Sequence, residues 1–329
     1  TEMYVTGPNV IREVTGEDIT SAELGGARVQ ELAGNISAVV KSEDEAFDFV
    51  RDLLDHLPTS AFDEVPTLDA PADDELDDSE LDAFLPDDTN AGYDMMDLLV
   101  QLGDDEELVE IQSGYAENLI CAFGRIDGKP VGFVANNPMY LAGCIDADAA
   151  DKGARFIRTC DAYNIPIVYV VDTPGYMPGV EQERRGLIHR GAKFAFAGVE
   201  ATVPKVTLIV RKAYGGAYAV MGSKNLNGDL NFAWPTAQIA VMGAAAAAIT
   251  LQGKQLDAID DPVQREAMKK MFMDFYDENM TSPYVAAERG FIDAMIQPSE
   301  TRLALRRALR QLETKREFDL PKKHTISPL

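Results

Sequence analysis

The sequence predicts an α/β fold in which short parallel strands are buried between helices. Two β-branched runs, IPIVYVVD (165–172) and KVTLIV (205–210), are short and largely apolar, which is typical of strands covered on both faces. Segments with apolar residues at helical spacing separate them, and a glycine-containing turn follows each run. Strands that alternate with helices in this way indicate a parallel sheet packed between helices.

Two units precede the main domain. Residues 1–60 are predicted to form a small α/β unit that ends in a helix within EDEAFDFVRDLLDHL. Residues 61–92 are rich in Pro, Asp and Ser without strong periodicity, and we interpret them as an acidic linker. From Asp52 to Glu117 the chain carries 22 acidic residues and no Lys or Arg, which accounts for most of its net charge of −25. We therefore expect a solvated connector.

The main domain is predicted over residues 93–329. Its helices and strands follow from apolar periodicity, and DGKP between two apolar runs marks a hairpin. In chain order we expect a helix in YDMMDLLVQL, a hairpin in NLICAFGRIDGKPVGFVAN, a helix in DADAADKGARFIRTCDAYN, the first buried strand, a helix in EQERRGLIHRGAKFAFAGV, the second buried strand, a strand and an Ala-rich helix in FAWPTAQIAVMGAAAAAITLQ, and helices near 262–279, 283–289 and 299–316.

Composition disfavours several classes of function. The chain has 329 residues, 46% of them apolar, which is an ordinary globular composition. Nucleic-acid partners need clustered positive charge, and a membrane span needs an apolar run of about 18 residues. The sequence has neither, and its N-terminal residues lack the pattern of a signal peptide, so we predict a cytoplasmic location. Cys121, Cys144 and Cys160 are expected to be free thiols, and no metal site is predicted.

Side-chain catalysis has few candidate bases. The histidines are His56, His189 and His324, and none lies near a G-x-S-x-G motif, which disfavours a hydrolase triad. The glycines of VRKAYGGAYAVMGSK (210–224) match neither a P-loop nor a dinucleotide fingerprint. The remaining candidates are therefore backbone groups.

Two turns are suited to backbone chemistry. Gly215 and Gly216 follow the second strand, and a helix that starts there presents amides without intrahelical acceptors. Such amides can hold an enolate or oxyanion. The turn Asp172–Gly179 follows the first strand, so the two turns are expected to face one cleft. The residue types leave a second interpretation equally open, in which both turns are tight connections without chemistry.

Long blocks of the chain resemble the carboxyltransferase (β) subunit of biotin-dependent acyl-CoA carboxylases of the propionyl-CoA carboxylase β type. The segment YVTGPNVIREVTGEDITSAELGG (4–26) resembles the end of that family's first catalytic half. The chain therefore corresponds to the C-terminal half plus the end of the N-terminal half. The other resembling blocks are residues 131–179, 189–224, 233–244, 283–293 and KKHTISPL (322–329).

The resemblance implies a crotonase-like ββα superhelix and carboxyl transfer from carboxybiotin to the α-carbon of an acyl-CoA (acetyl-CoA, propionyl-CoA or a longer thioester). Carboxybiotin releases CO2, the biotin enolate removes the α-proton, and the thioester enolate captures CO2. Backbone oxyanion holes hold both enolates, and no side-chain base is needed. The same chemistry leaves a biotin-dependent decarboxylase or transcarboxylase subunit open, and a non-catalytic CoA-binding scaffold is a further alternative.

The resemblance also implies partners. Biotin is carried covalently by a biotin carboxylase/biotin carboxyl carrier subunit, and the coenzyme A thioester is the substrate. The family's active site lies between the first half of one subunit and the second half of its dimer partner. A homodimer within a larger homo-oligomer, a hexamer, is therefore expected, and this chain alone is expected to be incomplete.

By the same resemblance, each candidate residue receives a role. The amides of Gly216 and Ala217 stabilise the ureido oxygen of biotin. Relatives commonly have an acidic residue at the position of Ala219, so this alanine implies room for a longer acyl chain. The residues near the biotin are Gly215, Pro174, Gly175, Tyr176 and Met177, and those of the acyl pocket are Tyr218 and Ala219.

Overall fold

The computed structural model describes residues 1–89, 91–104 and 108–317. The helices are α1 Pro8–Thr15, α2 Ser21–Gly25, α3 Ala27–Leu32, α4 Glu43–His56, α5 Met95–Leu102, α6 Ala147–Ala162, α7 Val180–Arg184, α8 Leu187–Glu200, α9 Gly215–Val220, α10 Ala244–Asp257, α11 Pro262–Tyr276, α12 Pro283–Glu288 and α13 Thr301–Leu312. The strands are β1 Val109–Glu110, β2 Leu119–Ile126, β3 Lys129–Asn136, β4 Ile167–Thr173, β5 Lys205–Tyr214, β6 Leu230–Ala233, β7 Gln238–Ala240 and β8 Ala294–Met295.

Within the described ranges the strands form one eight-stranded mixed sheet. β1, β2 and β3 are antiparallel, whereas β3, β4, β5, β6 and β8 are parallel neighbours in that order. β7 also pairs with β5, beyond the part of β5 that pairs with β6. Because α6 and α8 connect successive parallel strands, they are the crossover helices that such pairing requires. The α/β prediction is confirmed.

Successive residues of β4 belong to opposite hydrophobic cores. Ile167, Tyr169 and Val171 pack with residues of α6 and α8, whereas Val168 and Val170 pack with residues of α5 and α13. Burial of a Val or Ile side chain contributes about 1.5–3 kcal/mol, so β4 is held from both faces. The turn at its carboxyl end therefore starts from a fixed position.

Two local predictions are confirmed by their turn and cap residues. Asp127 and Gly128 connect β2 to β3 with φ values of 58° and 73°, which is the backbone that a two-residue Asp-Gly hairpin turn requires. α6 begins after Asp146, whose carboxylate accepts a hydrogen bond of 2.9 Å from the Ala149 amide.

The prediction of an α/β unit in residues 1–60 is wrong. This stretch contains α1 to α4 and one isolated bridge between Glu2 and Gly26, but no strand. The helix predicted after the first buried strand is divided, because Gly186 adopts φ 76° between α7 and α8. The strand predicted before the Ala-rich helix is also divided, since a turn closed by the Ala237 amide and the Trp234 carbonyl separates β6 from β7.

The described residues of the acidic segment (residues 61–92) are mostly exposed or half-buried, but the segment is attached to the domain. Its described residues, 61–89 and 91–92, form only short 3-10 turns, but Leu81 is 2% exposed and packs with the core beneath α5. The Leu68 amide donates to the Gly128 carbonyl at 2.9 Å, which attaches the segment to the hairpin turn. The segment therefore lies on the domain surface as part of its packing.

Three arginines on α13 pair with the acidic residues. Arg302, Arg306 and Arg310 recur every four residues and so share one face of the helix, which we call the arginine ladder. Arg302 pairs with Asp78 at 3.1 Å, and Arg306, which is fully buried, pairs with Asp104 at 2.8 Å. The spacing of the acidic residues did not indicate these ion pairs, because the paired residues are about 200 positions apart in the chain.

Candidate functional site

Two turns lie side by side at the carboxyl edge of the sheet. β4 and β5 are parallel neighbours; β4 leads into Pro174–Met177, and β5 leads directly into α9. Gly215, the first residue of α9, has φ 60°, and an added Cβ would lie 2.9 Å from the Val241 carbonyl oxygen. Both its backbone conformation and its surroundings therefore require glycine.

Tyr176 joins the two turns. Its ring lies against Gly216, where an added Cβ would be 3.4 Å from the ring carbon Cε2. Two backbone hydrogen bonds fix the tyrosine: Ile145 donates to the Gly175 carbonyl at 3.1 Å, and Met177 donates to the Ile145 carbonyl at 2.8 Å. The structure thus brings the two predicted turns into contact.

The start of α9 reaches the surface at Gly216. Gly216 is exposed, whereas Ala217 directly after it is fully buried. Amides in the first turn of a helix have no acceptor within that helix. Gly215, Ala219 and the Pro174–Met177 turn are half-buried around this point. The arrangement suits an oxygen atom that accepts hydrogen bonds while the rest of its molecule lies against the Tyr176 ring.

Tyr218 has a different environment from the other candidates. Its side chain is 7% exposed and packs in the hydrophobic core beneath α9. Its hydroxyl is buried and has no hydrogen-bond partner among the described residues. Its role in an acyl pocket stays a prediction.

A third segment forms the far side of the site. The Tyr214 hydroxyl donates to Oε1 of Gln238 on β7 at 2.5 Å. The ring of Tyr214 also lies against Gly243, where an added Cβ would be 3.1 Å from Cε2, and the carbonyl of Val241 faces Gly215. The sequence analysis did not predict that this segment forms the far side of the site. The signal available for it was the strand in FAWPTAQIAV, which pairs with the end of β5.

A buried ionic network lies directly behind both turns. Asp172, 1% exposed, accepts hydrogen bonds of 2.9 Å from the Tyr93 hydroxyl and from Nε of Arg211. It also accepts one of 3.0 Å from the Lys212 amide. A charged residue at the end of each buried strand run, in VYVVD and TLIVRK, was the signal for this network, but the pairing itself was not predicted.

Several ionisable side chains around the site have pKa values shifted from their ordinary values. Burial raises the pKa of Tyr176 to about 12 and that of Tyr218 to about 12. Burial also raises the pKa of Tyr214, and burial followed by the charge of Arg211 lowers the pKa of Lys212. Near neutral pH the tyrosines therefore keep their protons and act as donors or apolar surfaces rather than as bases.

Two of the three histidines, His56 and His189, lie in the described part of the chain. His56 is buried on α4 against Phe123, with Nδ1 2.7 Å from the Asp52 carbonyl oxygen. His189 is exposed on α8. His324, with the block KKHTISPL, lies outside the described residues.

A cavity of about 560 Å³ lies at the opposite edge of the sheet. Pro166 and Pro204, which precede β4 and β5, line it together with Arg310 and Lys315. These two cations are already paired, Arg310 with Asp127 and Lys315 with Asp229. The cavity is therefore separate from the two candidate turns.

Among residues 1–89, 91–104 and 108–317, no group of three or more His, Cys, Asp or Glu side chains is arranged to hold a metal ion. No helix in these ranges has the length and apolar character that a membrane crossing requires.

Comparison with known proteins gives consistent matches. Residues 1–326 match the family described as carboxyl transferase domain. The chain is 49% identical over 330 residues to the biotin-dependent long chain acyl-coenzyme A carboxylase beta4 subunit of Mycobacterium tuberculosis, covering 99% of this chain and 63% of that protein. It is 44% identical over 329 residues to the methylmalonyl-CoA decarboxylase subunit alpha of Propionigenium modestum, covering 100% and 63%.

A solved structure with a similar fold is the transcarboxylase 12S hexamer with methylmalonyl-coenzyme A and methylmalonic acid bound. It superposes with a TM-score of 0.94 at 43% identity, covering 100% of this chain and 62% of that chain. The crotonase-like fold expected from the resemblance is confirmed. The chain spans less than two thirds of the length of each of these three proteins.

Proposed function

Because the chain belongs to the carboxyl transferase domain family, we propose that it is the biotin-side part of a biotin-dependent acyl-CoA carboxyltransferase. The reaction is carboxyl transfer from carboxybiotin on a carrier protein to the α-carbon of an acyl-CoA. One observation carries this proposal: the exposed Gly216 at the start of α9 lies against the Tyr176 ring, where the turns after two neighbouring strands meet.

The residues present fit the ureido group of biotin. Gly216 lacks a side chain, so a planar ring can approach its amide, and the Tyr176 ring offers an apolar surface beside it. When bound, carboxybiotin supplies the carboxyl group. The amides of Gly216 and Ala217 donate to the ureido oxygen as negative charge develops there, and a preorganised donor of this kind contributes about 2.7–4 kcal/mol. Gly215 and the Pro174–Met177 turn hold these donors in place.

The proposed acyl pocket includes Tyr218 and Ala219, on the turn of α9 that follows the two amides. Ala219 is half-buried and its side chain is a single methyl group. We assign the pocket to an acyl chain on coenzyme A and infer that it accepts chains longer than propionyl.

Ala219→Asp is expected to shift acyl preference toward short chains, because a carboxylate beside an apolar tail must be desolvated. The ratio of kcat/KM for octanoyl-CoA to that for propionyl-CoA should fall at least about tenfold, measured in the full-length protein with its carrier. Ala219→Ser, which adds one uncharged hydroxyl, is the control and should change the ratio less. An unchanged ratio in Ala219→Asp would remove Ala219 from the acyl pocket.

We also propose that the protein forms a homodimer within a larger homo-oligomer, a hexamer, and works with a biotin carboxylase/biotin carboxyl carrier subunit. Exposed apolar side chains near the site support the oligomer. Those on the segment before α10, on α10 and on α11 are Val241, Ile249, Leu251, Val263, Met268, Met271 and Phe275. A cytoplasmic location is part of the proposal, supported by the free thiols Cys121, Cys144 and Cys160.

A decarboxylase or transcarboxylase subunit is the second candidate, favoured by the matches to the methylmalonyl-CoA decarboxylase subunit and to transcarboxylase 12S. The two amide donors serve either direction of carboxyl transfer. The partner proteins distinguish a carboxylase from a decarboxylase or a transcarboxylase better than the residues of this chain do.

The proposal is tested by supplying carboxylated carrier protein with acetyl-CoA, propionyl-CoA or octanoyl-CoA to the full-length protein. Formation of a carboxylated acyl-CoA is expected. Absence of transfer to every acyl-CoA, together with absence of the reverse reaction from methylmalonyl-CoA, would exclude the enzyme and leave the non-catalytic CoA-binding scaffold.

A further inference from the structure

The carboxylate of Asp172 fills a gap in the sheet. β4 and β5 pair regularly from Ile167 opposite Lys205 to Val171 opposite Ile209, but the next pair is Thr173 opposite Ala213. β5 thus has three residues where β4 has the single residue Asp172. Such a bulge interrupts the regular hydrogen bonds between strands. The Asp172 Oδ1 atom accepts the Lys212 amide at 3.0 Å, in place of a backbone carbonyl.

This bulge sets how far each strand extends toward the site. Asp172 is followed by Thr173 and then by the Pro174–Met177 turn, and Lys212 precedes Gly215 by three residues. A change in the register of β5 against β4 would therefore move the amides of Gly216 and Ala217 relative to Tyr176. The Asp172 side chain bonds to the Lys212 amide within this bulge, so it joins the two strands where their register shifts.

Asp172 is itself held by Tyr93, and by Arg211, which bonds to Ala91 near the end of the acidic segment. The Tyr93 hydroxyl donates to Asp172 Oδ2 at 2.9 Å, and Arg211 Nε donates to the same oxygen at 2.9 Å. Arg211 Nη1 donates to the Ala91 carbonyl at 2.8 Å, and its guanidinium carbon lies 4.9 Å from the centre of the Tyr93 ring. Burial, followed by the charge of Asp172, raises the pKa of Tyr93, so its hydroxyl stays a donor.

The segment itself is anchored elsewhere. Asp78 pairs with Arg302 of the arginine ladder at 3.1 Å, and Asp82 accepts the Ser299 amide at 2.9 Å. The chain from Asp78 to Tyr93 therefore connects α13 to the network behind the site. This connection gives the acidic segment a role that its composition did not predict.

We propose that Tyr93 is a positioning residue that, through Asp172 and Arg211, fixes the register of β4 and β5 and so the place of the Gly216 and Ala217 amides. It does not touch the reacting atoms. The effect on catalysis rests on the proposed function, whereas the effect on the two turns does not.

The test compares Tyr93→Phe with Tyr169→Phe in the full-length protein. Tyr169 is a matched control because it is also buried, lies on β4, and has a hydroxyl without a hydrogen-bond partner among the described residues. Hydrogen–deuterium exchange should become roughly tenfold faster in peptides that contain 174–177 and 215–221 in Tyr93→Phe only, since a hydrogen bond to a charged group is lost. Peptides from the hairpin 119–136 should exchange unchanged in both variants.

The second readout is carboxyl transfer with the carrier protein. Tyr93→Phe should lower kcat about tenfold with an unchanged KM for acyl-CoA, because misplaced donors weaken transition-state binding. It should also lower the amount of carboxyl transferred per carboxybiotin consumed, a ratio that does not depend on the folded fraction. Arg211→Lys, which keeps the charge, should behave as Tyr93→Phe does.

Equal exchange at both turns in Tyr93→Phe and Tyr169→Phe would overturn the positioning role, whatever the activity. Faster exchange at the turns with an unaltered transfer ratio would also overturn it. If the wild-type protein shows no transfer with any acyl-CoA, the proposed function fails, and the exchange comparison alone decides whether Tyr93 positions the turns.

Discussion

Replacing Gly216 with valine is expected to reduce biotin-dependent carboxyl transfer at least about a hundredfold, the scale of losing one oxyanion donor. Gly216 is exposed, and an added Cβ meets only the Tyr176 ring, at 3.4 Å. The branched methyl groups of valine would therefore occupy the space in front of the amides rather than clash with the backbone. Valine is no worse than glycine in a helix, so the unfolding temperature should change little.

The measurement is the initial rate of carboxyl transfer, together with thermal unfolding of the same full-length protein. Gly253→Val is the matched control, because Gly253 lies in α10 and an added Cβ there meets no atom within 4 Å. This control should transfer at the wild-type rate. Wild-type transfer by Gly216→Val would show that the amides of Gly216 and Ala217 are not the oxyanion donors.

Replacing Arg306 with methionine is expected to lower the free energy of unfolding by about 3 kcal/mol, because it leaves a carboxylate without its buried partner. The Arg306 side chain is fully buried, pairs with Asp104 at 2.8 Å and donates to the Pro71 carbonyl at 2.6 Å. Arg302 also contacts Asp104, at 3.3 Å, and this second cation keeps the expected loss at the lower end of the range.

Urea or thermal unfolding of the full-length protein measures this loss. Arg310→Met is the matched control, one helical turn further along α13, with partners of the same kind in Asp73 and Asp127 but a side chain that is 44% exposed. Exposed ion pairs contribute about 0–1 kcal/mol, so the control should lose much less. Equal losses in the two variants would contradict the assignment of Arg306 as the buried anchor.

The parts of the fold that could be predicted are those encoded by neighbouring residues. The Asp127-Gly128 turn, the Asp146 cap and the apolar runs of β4 and β5 each depend on residues a few positions apart. The break at Gly186 depends on a backbone conformation that a helical pattern does not reveal. Within residues 1–60 the predicted helix in EDEAFDFVRDLLDHL is present as α4, whereas α1 to α3 were not predicted because such short helices give little periodicity.

The candidate site likewise has a part that the sequence predicts and a part that depends on residues far apart in the chain. The sequence identified the glycine pair and the turn after β4 as turn residues. Only the family resemblance assigned biotin to them. The roles of Gly216, Ala217, Tyr218 and Ala219 stay predictions. The Tyr93 and Arg211 contacts with Asp172 join residues 79 and 39 positions apart, and neither composition nor periodicity carries information about such pairings.

The attachment of the acidic segment to α13 bears on how such a domain can be inherited or transplanted. A gene fusion that joined a foreign partner at Tyr93 would leave behind Leu81 and the aspartates that face the arginine ladder, including Asp78. The transplanted piece would then expose apolar surface, and Arg302 and Arg310 would each lose one of their two acidic partners, Asp78 and Asp73. The smallest unit that can be moved intact therefore starts upstream of residue 68, where the chain first bonds to the hairpin turn.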